Sequence, residues 1–207
     1  MRITFLLIAV NLIMTNVPGQ KAIEIPEFKN INAGDKYPER SILATYTNNF
    51  DILISLNRYS AWGPDNSIKI LAHHVSGWFK IEINRDDKIF EPYTVCLSTY
   101  KINDSIGNIL WDALKQNHLF EMKDGRKIGS ACITTDTIRY KNGTFRTDEV
   151  FHDSSSDGAE YEFETLTREN YKKLYFYSPQ DLVDTCPDRE RKWIINCITI
   201  FEKYLGD

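Results

Sequence analysis

The final stretch of the chain, Cys186–Leu205 (CPDRERKWIINCITIFEKYL), does most to limit how the rest can fold. Two apolar rows run through it: Trp193, Cys197, Ile200 and Tyr204, and Ile194, Ile198, Phe201 and Leu205. Both advance in steps of three or four, so on an α-helix they merge into one broad apolar stripe. Asp188 and Glu190 fall in the first turn, where carboxylates complement the helix dipole, and Pro187 suits the first helical position. A stripe this wide must be buried against a partner, and the preceding chain offers mostly strands.

Those strands are read from alternation and turn chemistry. Ile42–Tyr46 is a candidate strand, and Phe50, Ile52, Ile54 and Leu56 alternate as in a half-buried one. The turn-rich run Trp62–Ser67 leads into Ile68–Ala72. Further strands are expected at Phe79–Ile83 and Tyr93–Tyr100. A helix capped by Asp104 or Ser105 follows, with Ile106, Ile109, Leu110, Ala113 and Leu114 on one face, fading by Asn117. Leu119 and Phe120 are expected to pack beneath it. Lys141-Asn142-Gly143 predicts a hairpin joining Ala131–Tyr140 to Phe145–Phe151.

The last hairpin is specified down to its register. A loop at Thr167–Asn170 pairs Leu166 with Tyr171, Phe163 with Leu174, Tyr161 with Phe176 and Glu164 with Lys173. Apolar pairs then share one face and an opposite-charge pair takes the other, whereas a one-residue slip mixes them. The expected fold is α+β: a largely antiparallel, twisted sheet with two or more helices packed on one face. The C-terminal helix is the main cover, and the row Glu160, Glu162, Glu164 marks a wet opposite face.

Compartment is read from the other end of the chain. Met1 and Arg2 precede an apolar run, Phe5–Met14, and a small-residue close at Asn16–Gln20, the pattern of a secretory signal peptide. A run of that length spans only ~15 Å of helix against a ~30 Å hydrocarbon core, too short for an anchor. The domain reading is therefore residues 1–19 as signal peptide, 20–40 as an irregular lead-in rich in Pro, Gly and charge, and 41–207 as one α+β domain. It implies an exported protein, secreted or periplasmic, with no membrane span in the mature chain. The net charge of −4 and the absence of a basic stripe argue against nucleic-acid partners.

Four cysteines, Cys96, Cys132, Cys186 and Cys197, allow three pairings. With Cys186 at the start of the last helix, Cys197 lies ~16 Å further along its axis, well beyond the ~4.4–6.8 Å a disulfide spans. Two schemes remain, 96–186 with 132–197 and 96–197 with 132–186. A buried free thiol is the competing reading, most of all for Cys197 on the apolar stripe.

Few residues suggest chemistry. His73 and His74 are adjacent, so on a strand they face opposite ways and cannot share a metal; a structural histidine is the ordinary reading. His152-Asp153-Ser154 holds the residue types of a hydrolytic triad, but consecutive positions lack its geometry and there is no nucleophile elbow. The Glu160–Glu162–Glu164 row could serve acid–base work or a hard cation, but lacks a calcium-loop pattern. Trp62 and Trp78 each abut a glycine near a strand end; aromatic residues there suit a carbohydrate or peptide ligand, although tryptophan is usually core. Asn103-Asp104-Ser105 and Asn142-Gly143-Thr144 match the N-glycosylation acceptor pattern, relevant in a eukaryotic host.

No metal or cofactor signature is present, and no cofactor is expected. The resulting expectation is an exported, non-enzymatic binding or interaction protein. Trp62, His73 and Trp78 are its candidate contact residues, for a protein, peptide or carbohydrate ligand. The alternative is a metal-independent hydrolase or lyase using carboxylates and a histidine.

Overall fold

A computed structural model of the chain describes residues 23–29, 43–44, 49–60, 63–64, 67–85, 95–125, 131–153, 158–181, 183, 186 and 188–206. The signal-peptide reading, and the readings made on Trp62, Ser154 and Pro187, lie outside these residues. The described elements are β1 (Ile52–Ser60), β2 (Gly63–Pro64), β3 (Ser67–His74), β4 (Gly77–Arg85), β5 (Val95–Lys101), α1 (Asp104–Gln116), β6 (Ala131–Arg139), β7 (Phe145–Asp153), β8 (Glu160–Thr167), β9 (Tyr171–Tyr177) and α2 (Arg189–Leu205).

One antiparallel sheet runs in the order β5–β4–β3–β1–β8–β9, with the short β2 against the end of β1. A second sheet is the β6–β7 hairpin alone. The fold is α+β, with α1 and α2 packed on one face of the main sheet. Leu43–Ala44 forms a short 3-10 turn where a strand was expected. The lead-in has no regular structure at 23–29, yet Phe28 enters the core and stacks on Phe120 with ring centroids 5.6 Å apart.

The sheet departs from the sequence reading at its centre. β1 is not half-buried: Ile52 through Asn57 are buried on both faces, because β1 lies between β3 and β8. Ile52, Ile54 and Leu56 face the helices with Leu71, Trp78, Phe163 and Leu174. Leu53 faces away and joins a second cluster with Phe50, Ile70, Phe79, Ile81 and Leu166. The far face is therefore apolar across β3, β4 and the Leu53 end of β1, and turns polar at Ser55 and Asn57 of β1 beside Glu162 and Glu164 of β8. The adjacent pair Leu53-Ile54 within an apolar run was the signal for a central strand.

In α1 the buried stripe is Gly107, Leu110, Trp111 and Leu114, rotated from the expected one, and Ile106 and Ile109 face solvent. Two large rings set the rotation: Trp78 and Trp111 lie 5.8 Å apart, and Gly107 lets the helix sit on Trp78. A Cβ at Gly107 would fall 2.1 Å from Trp78 Cγ. Asn103, and neither Asp104 nor Ser105, is the N-cap, accepting from Ser105 N at 2.8 Å. The helix closes with Leu119 N donating to Leu114 O and His118 N to Lys115 O, the Schellman pattern. His118 takes the left-handed position (φ +55°) usually given to glycine, and its ring lies 4.1 Å from that of Trp193.

α2 carries the buried stripe Ile194, Cys197, Ile198, Phe201 and Leu205, as the opening pattern required. It starts at Arg189 because Asp188 is the N-cap and not a first-turn residue, its Oδ1 accepting from Glu190 N and Arg191 N. Phe201 meets Phe163 edge-on at 5.7 Å, so the helix covers β8 where the hairpin register places its apolar face. That register is as read: Leu166 opposite Tyr171, Phe163 opposite Leu174, Tyr161 opposite Phe176 and Glu164 opposite Lys173.

β9 is an edge strand, and its surroundings secure it. Tyr175 N donates to the buried Asp124 Oδ2 at 3.3 Å. Buried Lys172 of β9 donates from Nζ to Lys29 O (2.8 Å), Phe120 O (2.9 Å) and Met122 O (2.8 Å). One ammonium thus ties the lead-in, the segment after α1 and the sheet edge together.

Cys132 of β6 is bonded to Cys186, with Cα atoms 6.0 Å apart. The 132–186 pair is one of those expected, and Cys197 is a buried free thiol, as the competing reading had it, bonded to neither Cys132 nor Cys96. Burial pushes this thiol's pKa up, so it stays protonated and inert. Cys96 lies on β5 opposite Asn84, and its side chain is outside the described part. The bridge closes a loop of sequence separation 54, for which the chain-entropy model gives about 4 kcal/mol. A Cys132→Ala/Cys186→Ala variant is expected to lose up to that amount in urea unfolding, and an unchanged midpoint would refute it.

Candidate functional site

The residues singled out in the sequence scatter over both faces of the sheet. Trp78 is 1% exposed, so it cannot serve as a surface platform. Its Nε1 donates to Asn108 Oδ1 at 2.8 Å and its backbone N to Asp104 Oδ1 at 3.2 Å, binding β4 to α1. Trp62 lies outside the described residues.

His73 is also buried, edge-on to Trp78 at 4.7 Å, with Nδ1 3.1 Å from Asp51 Oδ2. Burial lowers its pKa; the hydrogen bond and charge of Asp51 oppose this without reversing it. His74 turns to the other face, its Nδ1 2.9 Å from Ser76 Oγ. The two histidines therefore diverge, as adjacent strand residues must.

This burial makes stability pH-dependent. The unfolded imidazole titrates near 6.5, and the folded one at lower pH. Between the two values the unfolded state holds the extra proton, so stability is complete above about pH 6.5 and falls as pH drops through the window. The slope from this one group is at most about 1.4 kcal/mol per pH unit. A His73→Asn variant keeps a donor towards Asp51 without titrating and is expected to flatten the urea midpoint between about pH 7.5 and pH 5.5. Parallel pH profiles for the two proteins would refute the assignment.

The carboxylate row is not the solvated face expected from its alternation. Glu164 is buried and Glu162 nearly so, and Lys173 reaches both, 2.6 Å from Glu162 Oε2 and 3.4 Å from Glu164 Oε1. Burial works to lower the Lys173 pKa, but the two carboxylates outweigh it and hold the ammonium above its ordinary value. Asn57 Nδ2 donates to Glu162 Oε1 at 3.3 Å, while Asn57 Oδ1 and Ser55 Oγ, both buried, have no hydrogen-bond partner among the described residues. Glu162 is thus engaged as an acceptor, and the cluster lies on the sheet face opposite His73. His74 shares that face but lies level with Asp51, four strand positions from Ser55 and so ~13 Å along β1. The geometry joins neither His73 nor His74 to this carboxylate pair.

His152 sits on β7 with Nε2 2.6 Å from Thr134 Oγ1 of β6, a cross-strand contact within the hairpin. Among the described residues, no group of three or more His, Cys, Asp or Glu could hold a metal ion. No helix among them is long and apolar enough to cross a membrane. Asn103 and Asn142 are both exposed, the first at the start of α1 and the second at the tip of β6–β7.

That hairpin is the feature the sequence analysis passed over as a potential site. Phe145 is 69% and Phe151 67% exposed, and Ile138 and Tyr140 are about half exposed. Phe145 and Phe151 are six residues apart on β7, so they share a face. Among the described residues, β6 and β7 pair only with each other, leaving both outer edges without strand partners. The disulfide at Cys132 fixes the base of the ribbon to the segment leading into α2. Apolar residues recur on both sides of β6–β7, and Ile138, Tyr140, Phe145 and Phe151 stay exposed there.

No family model matches the chain, and no curated protein matches it.

Proposed function

We propose that this is an exported, non-enzymatic interaction protein whose β6–β7 hairpin receives an extended segment of a partner protein. The observation that carries this reading is the pair of exposed phenylalanines on a two-stranded ribbon whose edges have no strand partner among the described residues. A lone hairpin is at best marginally stable in water, and unpaired strand edges are templates for another strand. An added strand supplies backbone partners along the edge while its side chains cover Phe145 and Phe151. The Cys132–Cys186 bridge is consistent with export into an oxidising compartment and keeps the ribbon anchored for docking. The hydrolase or lyase alternative finds less support, since His73 and the Glu162–Glu164 pair occupy opposite faces.

The test is affinity capture from the native organism with the disulfide-intact protein, beside a Phe145→Ser/Phe151→Ser variant. Both side chains are exposed, so the variant is expected to keep its urea midpoint. Each buried aromatic contributes roughly 1.5–3 kcal/mol, so losing both should weaken a true partner by at least about 100-fold. Crosslinks from that partner should map to β6–β7. A partner held equally by both proteins refutes the hairpin as the site. Substrate turnover abolished by Asp51 or His73 substitution, with no specific partner, refutes the interaction reading altogether.

A further inference from the structure

We infer that Asn142 is a site of N-linked glycosylation, modified by an oligosaccharyltransferase during export. Two asparagines carry the acceptor pattern, and their places in the fold differ. Asn103 caps α1 beside Asp104, whose carboxylate is held at the backbone of Trp78 on the wall of the main sheet. Asn142 is at the free tip of β6–β7, in the turn closed by Gly143 N to Tyr140 O and Tyr140 N to Thr144 O. Gly143 has φ +84°, and a Cβ placed there meets nothing within 4 Å. The tip projects into open space, where a bulky polar glycan displaces no packed residue.

The third residue of the pattern is aligned with the first. Thr144 Oγ1 donates to Asn142 Oδ1 at 2.7 Å, and Thr144 N donates to the same oxygen at 3.1 Å. Both bonds engage the carboxamide oxygen and leave Nδ2, the nitrogen that is glycosylated, facing away from them. The acceptor turn is thus written into local sequence, by an Asn side chain that binds the backbone two residues on and a Gly that accepts the left-handed conformation.

The donor is a lipid pyrophosphate-linked oligosaccharide. Asn142 Nδ2 forms the new bond to the anomeric carbon as the bond from that carbon to the pyrophosphate oxygen breaks. The lipid pyrophosphate leaves with the bonding electron pair, and one amide proton passes to a base of the transferase. The net charge of the chain is unchanged.

The test is peptide mapping of protein purified from its native source, after enzymatic deglycosylation in heavy-oxygen water. The expected result is Asn142 recovered mainly as heavy-oxygen-labelled aspartate, far above a control incubated without the glycosidase, which reads spontaneous deamidation at the Asn142-Gly143 bond. In full-length chain secreted from insect cells, Asn142→Gln and Thr144→Ala should each remove the glycan from this peptide, and Thr144→Ser should retain it. Unmodified Asn142 in the native protein overturns the inference, as does labelling that depends on the glycosidase and persists on the peptide in Thr144→Ala. Neither outcome depends on whether the hairpin binds a partner, because the readout is the covalent state of one peptide.

Discussion

Replacing Lys172 by methionine is expected to destabilise the protein by about 3–5 kcal/mol. The substitution keeps an unbranched chain of similar length, so the packing of the stem changes little. What it removes is the ammonium that donates to Lys29, Phe120 and Met122, leaving three carbonyls in a buried site without that donor. Phe120 O keeps Lys29 N as a donor, but Lys29 O and Met122 O lose the ammonium, and each buried acceptor left unsatisfied costs roughly 1–3 kcal/mol. Because the acceptors come from separate segments, the damage is also expected to spread. Amide exchange should rise at Lys29, whose N–H bonds to Phe120 O, as well as along β9. A urea midpoint within about 0.5 kcal/mol of wild type would show that the contacts contribute nothing net.

The second large effect is at Ile198, fully enclosed in the stripe of α2. Ile198→Asp places a carboxyl among Ile194, Phe201 and the core beneath, with an expected loss of at least about 4 kcal/mol at neutral pH. The cost has a pH signature that distinguishes burial of charge from simple loss of apolar volume. Desolvation raises the folded-state pKa of the new carboxyl above its unfolded value, near 3.9. The folded state then holds the extra proton, and stability falls as pH rises through the interval between the two values. The variant should therefore be least impaired in mild acid and worsen towards neutrality, whereas Ile198→Ala should show a deficit independent of pH. A pH-independent deficit in the Asp variant would place the side chain in water.

Local pattern carried much of this architecture. The register of β8–β9 was legible because charge and apolarity sort onto opposite faces only at one offset, and the structure adopts that offset. The stripe of α2 was legible because its spacing admits one buried side. What was not legible depends on partners distant in sequence. β1 looks half-buried by alternation, and only its position between β3 and β8 explains why Leu53 and Ser55 are enclosed too. The stripe of α1 is rotated by the bulk of Trp78, a residue on another element.

The candidate sites follow the same rule. Glu162 and Glu164 read as a wet row until Lys173, Asn57 and Ser55 are brought beside them. Trp78 and His73 read as possible contact residues until α1 covers the first and Asp51 takes the second. The exposed apolar residues of β6–β7 were visible throughout, but exposure is decided by which elements remain to cover a strand, and periodicity does not report that.

The pairing of β1 with β8 has a consequence for how the molecule comes together in time. β1 lies near the front of the domain, yet its second neighbour is separated from it by the whole of the first helix and the β6–β7 ribbon. During synthesis, β1, β3, β4 and β5 can form a local meander, but the edge of β1 stays open until Glu160–Thr167 has emerged. Closing that long loop costs entropy before any contact repays it, so docking of β8 is expected to limit the folding rate. Nascent chains truncated before β8 would thus hold a half-finished sheet with its most apolar strand at the margin, the species most in need of a chaperone.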